Sequence, residues 1–160
     1  MNPTLQSRLD EVARIAVRIE AECGLPAQAL IAQWAIESQW GVKPCGACNF
    51  FGIKAADRHA KTCFVDTQEV ICGKRVDQTL EFADYASLEE SCRDYAWLIT
   101  HGFPYRQAWA DYQQNHDVLV LIQGIARKYA TSPAYSQLAG QIAIQCNVRS
   151  AIERAREVTT

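Results

Sequence analysis

The chain has 160 residues, 49% of them hydrophobic and 21% charged, with a formal net charge of −2. That length suits one domain around one core. The basic residues are scattered, so no basic patch marks the chain as a nucleic-acid binder. No apolar run approaches the ~20 residues a bilayer-spanning helix needs, so membrane insertion is not expected.

Residues 1–24 carry charges throughout and hold no apolar h-region, so no Sec signal peptide is predicted there. Leu5, Leu9, Val12, Ala16 and Ile19 recur at three or four, which predicts a helix over 3–23 stopped by Gly24. Pro26 suits the first turn of a second helix, predicted to run to about Trp40 and end at Gly41. On its wheel Ala27, Leu30, Ile31, Trp34 and Ser38 share an apolar face, with Glu37 at the rim. Residues 42–62 are rich in Gly, Pro, Cys, Asn and charge and read as a long loop. Residues 63–84 hold two β-rich runs around Cys72-Gly73-Lys74, which predicts a hairpin.

Ser87, with Glu90 three residues on, forms a capping-box signal for the next helix. Helices follow near 105–113 and 117–128. A last helical segment opens on Ser132 as N-cap and Pro133 as first helical residue. The expected class is α+β, mainly α: one domain over 1–160, a helical body with a β-lobe at about 63–84.

Glu37 carries the main chemical question. A carboxylate at the edge of an apolar stripe is partly desolvated, which raises its pKa. In the last turn of a helix the dipole also disfavours its negative charge. A carboxyl that stays protonated can give its proton to a leaving group. The same position also suits a boundary glutamate, solvated or paired with Lys43 or Lys54. Glycosidases mostly need a second carboxylate. Asp66, Glu69, Asp77, Glu81 and Asp84 are the candidates, and the pattern alone selects none.

Five motifs then occur in order. "AQWAIESQWG" resembles the A-x-x-A-x-E-S-x-W-G helix of the bacterial peptidoglycan N-acetylglucosaminidases, the glucosaminidase family of flagellar muramidase-type proteins, autolysins and phage lysins. "NFFGIK" resembles that family's N-x-F-G-I-K, and "TQEVICGKRV" its hairpin. "FADYASLEESCRDYAWLI" is similar to its F-x-x-Y-x-S-x-x-E-S-x-x-D-Y helix start, and "YATSPAYSQL" to its Y-A-T-D-P-x-Y-A-x-K-L.

The resemblance implies a lysozyme-like fold, with a substrate groove between the helical body and the β-lobe. It implies hydrolysis of the β-1,4 bond between N-acetylglucosamine and N-acetylmuramic acid, on the glucosamine side. By position, Glu37 matches the family's general acid, Glu69 its second carboxylate and Tyr129 a tyrosine associated with catalysis. Trp40, Asn49, Phe51 and Tyr135 fall at motif positions near the groove and are expected to contact the sugar. A lytic transglycosylase or muramidase, or a silent wall-binding module, remain alternatives. No cofactor is expected. The implied partners are peptidoglycan glycan strands. If the chain is a secreted antibacterial effector, an immunity protein or other protein inhibitor joins them. Export by a holin or a dedicated secretion system is expected.

The family pattern departs here in two ways. Ser132 stands where Asp is common, and both cap helices well. The chain also carries seven cysteines. Cys45, Cys48, Cys63 and Cys72 have a zinc-like grouping, but disulfides pinning the loop to the β-lobe are the preferred expectation for a wall-degrading enzyme, with free thiols the remaining option. Cys23, Cys92 and Cys146 are expected as small buried hydrophobes. His59, His101 and His116 are expected at the surface. Trp34, Trp97 and Trp109 are expected to pack in the core.

Overall fold

The structure is a computed structural model. It describes the backbone of residues 2–71, 74–129 and 133–159, and the side chains of these except 68–71, 74, 75, 129, 133 and 159. Among the described residues there are seven α-helices, one 3-10 turn and a two-stranded antiparallel sheet. No described helix is long and apolar enough to cross a membrane.

Helix α1 (Pro3–Cys23) begins where Asn2 Oδ1 accepts the Thr4 N–H at 2.9 Å, with Pro3 in the first turn. It ends at Gly24, whose φ of 79° is left-handed and whose N–H reaches Glu20 O at 2.8 Å. Its apolar stripe, including Leu9, Val12, Ala13 and Ala16, is fully buried.

That stripe packs on α2 (Ala27–Glu37), the central helix. Ala27 and the whole run Ala29–Ala35 are buried, so α2 is enclosed on nearly all sides instead of being amphipathic as expected. Small alanines let α1, α6 (Pro133–Ala143) and α7 (Cys146–Thr159) approach it closely. Pro26 proves to be the N-cap, one residue before the helix. The helix also ends three residues earlier than predicted, at Glu37. Gln39, Trp40 and Gly41 have φ of 50°, 60° and 74°, a left-handed run that no helix continues through.

Strands β1 (Thr62–Ile71) and β2 (Lys74–Ala83) form the predicted hairpin, in register from Thr62 opposite Ala83 to Ile71 opposite Lys74. The turn at Cys72-Gly73 lies outside the described residues. Among the described residues the hairpin makes no extensive contact with any helix. It joins the body at its base, where Ala83 N–H reaches Ile53 O, Ala55 N–H reaches Glu81 O and Asp84 N–H reaches Lys61 O, each at 3.0 Å.

Helix α3 (Leu88–His101) starts with Ser87 Oγ accepting the Glu90 N–H at 3.2 Å. The capping box is offset by one residue, because the Glu90 carboxylate accepts from Ala86 N–H at 2.8 Å. The 3-10 turn Phe103–Tyr105 then leads into α4 (Arg106–Asn115), and α5 (Val118–Tyr129) packs on α4 and α6. The last helical segment is two helices, α6 and α7, broken at Ile144-Gln145. The expected N-cap Ser132 lies outside the described residues.

Candidate active site

The end of α2 and the turn after it set the position of Glu37. Ser38 is fully buried; its hydroxyl donates to Trp34 O at 2.5 Å and accepts the Gly41 N–H at 2.9 Å. Trp40 N–H reaches back to Ala35 O at 2.9 Å. These bonds hold the left-handed run in place against a cost of about 1–2 kcal/mol for each non-glycine residue in it. Gly41 is required twice: by its φ, and by the Trp34 ring carbon that would lie 2.7 Å from a Cβ there. The "SQWG" part of the motif is therefore a stop that leaves Glu37 as the last helical residue.

Glu37 is partly buried. Burial raises its pKa above the ordinary carboxylate value; a hydrogen bond from the Tyr135 hydroxyl pulls it back, and burial prevails. The Tyr135 hydroxyl lies on Glu37 Oε1 and, at 2.7 Å, on Gln33 Oε1. Tyr105 is a third neighbour: its phenol is pushed up to about 12 by burial and by Glu37. Burial and Glu37 likewise raise Tyr135. Both phenols therefore stay neutral at physiological pH. Glu37 thus has uncharged hydrogen-bonding neighbours, and burial leaves its pKa above the ordinary carboxylate value.

Gln33 and Tyr105 were not among the residues the sequence singled out. Gln33 carried a usable signal. It is a polar residue inside the apolar run Leu30–Ala35, four residues before Glu37 and hence on the same face. Tyr105, in "HGFPYRQ", carried none.

The other expected site residues divide. Glu69 stands opposite Val76 in the hairpin, and Tyr129 is the last residue of α5; their side chains lie outside the described residues, so neither can be placed against Glu37. Tyr135 does meet Glu37, through a hydroxyl committed to the protein's own groups instead of one left free for a sugar. Trp40 turns its ring edge-on to Trp34, centroids 6.2 Å apart, and packs against the core.

Asn49 and Phe51 are corrected. Asn49 is 1% exposed, and its amide is spent on backbone: Nδ2 donates to Ile53 O and Ala83 O at 2.9 Å, and Oδ1 accepts from Ile53 N–H at 3.0 Å. Phe51 is fully buried and stacks on Tyr95 at 4.3 Å between centroids. Both residues anchor the loop and the base of the β-lobe and present no surface to a sugar. The motif "NFFGIK" thus serves architecture.

Several expectations outside the site also change. The six described cysteines are free thiols, so the preferred disulfides are not formed among Cys45, Cys48 and Cys63. Cys45 does lie near Cys63, and burial followed by that neighbour pushes its thiol up to about 11. No group of described residues is arranged to hold a metal ion, and Cys72 lies outside them. Cys92 is buried as expected, whereas Cys23 and Cys146, near helix ends, are exposed. The His59 ring is not at the surface. Its side chain is 5% exposed and meets Asp94 at 3.0 Å, beside the paired bonds from Arg58 and one from Tyr85. Trp97 is 45% exposed, stacked on His101 and under the Arg58 guanidinium, instead of in the core. Trp34 is core as expected, and Trp109 packs at its edge.

The architecture is that of the lysozyme-like catalytic domains of bacterial wall hydrolases. The catalytic domain of the Listeria monocytogenes autolysin Auto superposes with a TM-score of 0.79 at 24% identity, over 94% of this chain and 89% of that one. A peptidoglycan hydrolase mutant from Sphingomonas sp. A1 gives 0.74 at 24% identity, over 93% and 99%. These likenesses establish the fold.

The family follows from sequence: the profile described as mannosyl-glycoprotein endo-beta-N-acetylglucosaminidase matches residues 13–147, and the chain belongs to this glucosaminidase family. A probable N-acetylmuramidase of Lactococcus lactis subsp. cremoris is 29% identical over 149 residues, covering 88% of this chain and 33% of the relative. The Enterococcus faecalis autolysin is 31% identical over 136 residues, covering 79% and 18%. The chain thus spans a third or less of these two relatives.

Proposed function

We propose that the chain is a peptidoglycan hydrolase that cuts the β-1,4 bond on the glucosamine side, an endo-β-N-acetylglucosaminidase. The observation that carries this is Glu37, partly buried at the end of α2 with its pKa raised by desolvation, in a chain of the glucosaminidase family. Glu37 is the general acid that protonates the glycosidic oxygen. Glu69 serves as the second carboxylate, activating water or stabilising positive charge at the anomeric carbon, and Tyr129 assists in the groove. Among the described residues the β-lobe carrying Glu69 is tied to the body at its base, which suits a lobe that closes on a glycan strand.

A second reading has support of its own, since the Lactococcus relatives are named probable N-acetylmuramidases. It places the cut on the muramic acid side with the same acid. Mass spectrometry of digested peptidoglycan separates the two. Reducing N-acetylglucosamine ends support the first, reducing N-acetylmuramic acid ends the second, and 1,6-anhydro ends would reject hydrolysis. The setting we propose is an antibacterial effector or phage lysin, acting on the wall and, as an effector, held in check by an immunity protein. Toxicity on periplasmic targeting, relieved by a neighbouring gene product, would support the effector. Its absence would count against it.

A further inference from the structure

Tyr135 has one hydroxyl proton and two oxygens facing it, Gln33 Oε1 at 2.7 Å and Glu37 Oε1 closer still. An amide oxygen and an ionised carboxylate can only accept. With Glu37 ionised, both would compete for one proton, and the loser would meet a lone pair at hydrogen-bond distance. With the Gln33 oxygen facing the phenol, a protonated Glu37 removes the conflict: Glu37 donates to Tyr135, and Tyr135 donates to Gln33. The opposite amide orientation, with Nε2 donating to Tyr135 and Tyr135 to an ionised Glu37, is the arrangement that a raised Glu37 midpoint in Gln33→Leu would reveal.

We propose that Gln33 is a positioning residue that holds the Tyr135 proton in the resting enzyme, so that Tyr135 turns it onto Glu37 only after Glu37 has given up its own. This rests on Glu37 being the general acid.

The proton count closes. The glycosidic oxygen draws the Glu37 proton away from Tyr135. Its bond to the anomeric carbon breaks, the oxygen keeps the bonding pair, and water adds to that carbon, losing its proton to the proposed second carboxylate Glu69. The Tyr135 O–H then rotates about its C–O bond from Gln33 to the new carboxylate, with no bond to that proton broken. Tyr135 thus stabilises the anion that forms during the reaction and leaves the resting acid alone, which is the differential binding that lowers a barrier.

Gln33 is fully buried one turn before Glu37, on the same helix face. Its Nε2 has no hydrogen-bond partner among the described residues, so the bond to Tyr135 is its amide's described tie. A buried amide with an unpaired donor is a cost to stability that an apolar side chain would avoid. The described titratable groups that face Glu37 are Tyr135 on α6 and Tyr105 from the 3-10 turn, both neutral near pH 7.

The test is a carbon-13 NMR titration of the free enzyme labelled at glutamate carboxyls, with the Glu37 signal assigned by its loss in Glu37→Gln. In Gln33→Leu the Tyr135 proton is freed to sit on the carboxylate permanently. The Glu37 midpoint then falls, by about one pH unit for a hydrogen bond to a charged group. The alkaline limb of kcat moves down with it while KM holds. In Tyr135→Phe the carboxyl loses acceptor and donor together, and burial alone lifts the midpoint above wild type. Adding Gln33→Leu to Tyr135→Phe changes the titration no further. A Glu37 midpoint that stays or rises in Gln33→Leu overturns the proposal, as does full additivity of the two substitutions. If Gln33→Leu fails to fold, Gln33→Met makes the same test with an unbranched side chain. Full activity in Glu37→Gln is a separate outcome: it removes the general acid and the catalytic role of the switch, whatever the titration shows.

Discussion

Asn49→Ala separates an architectural asparagine from a sugar-binding one. The Asn49 amide is buried and bonds at 2.9 Å to Ile53 O and Ala83 O and at 3.0 Å to Ile53 N–H. Ile53 O keeps its bond from Ala83 N–H, so its loss is small. Ile53 N–H and Ala83 O each lose the Asn49 bond, at about 1–3 kcal/mol per unsatisfied buried group. The expected destabilisation is therefore about 2–6 kcal/mol. At ~2–4 °C per kcal/mol for a chain of this size, Tm falls by roughly 10 °C. The assay is thermal and urea unfolding followed by circular dichroism, alongside KM for peptidoglycan at a temperature where the variant is folded. A large fall in Tm with KM held supports the assignment. An unchanged Tm with a raised KM would refute it and restore Asn49 to the groove.

Four further outcomes follow from particular residues. Gly41→Ala meets both an unfavourable φ and the Trp34 ring, so it should cost about 2–4 kcal/mol in urea unfolding and lower activity by moving Glu37. Glu37 has a folded pKa raised above its unfolded one, so its contribution to stability is complete below the unfolded value and is lost as pH rises through the folded value. The Tm of Glu37→Gln relative to wild type should therefore climb with pH across that window; a difference flat in pH would contradict the burial argument. The Asp94 carboxyl is raised by burial, but the bonds from Arg58, Tyr85 and His59 outweigh this and leave it below the ordinary value. Its stabilisation is thus present above the unfolded pKa and lost as pH falls through the folded one, and Asp94→Asn should erase that acid-side loss in a pH series of melts. Iodoacetamide at pH 8, read by mass spectrometry, should label exposed Cys23 and Cys146 early, Cys45 slowly and buried Cys92 last.

Much of the fold was legible because local signals and global packing agree. Gly24, Ser87 and the two β-rich runs around Cys72-Gly73-Lys74 each mark an element by its own chemistry, and the structure follows them. The end of α2 was misjudged because Gln39 and Trp40 have no left-handed preference of their own. Tertiary bonds from Ser38 impose it. The candidate role of Glu37 comes from the ordered motifs alone, since a rim glutamate on one helix is chemically ambiguous. Asn49 and Phe51 stand in a motif, and a motif residue can be there for backbone hydrogen bonds as readily as for substrate. Gln33 and Tyr105 meet Glu37 across helix packing, which a linear pattern does not encode. The exposure of Trp97 depends on Arg58 covering its face, a pairing 39 positions apart by subtraction of their numbers.

The central claim is that Glu37 is the acid that breaks a peptidoglycan glycosidic bond. The most direct measurement is mass spectrometry of purified peptidoglycan digested in parallel by the wild type and by Glu37→Gln. The account predicts new reducing N-acetylglucosamine ends with the wild type and their near-complete loss in the variant, with the fold retained by circular dichroism. The same ends at the same rate from folded Glu37→Gln would contradict it.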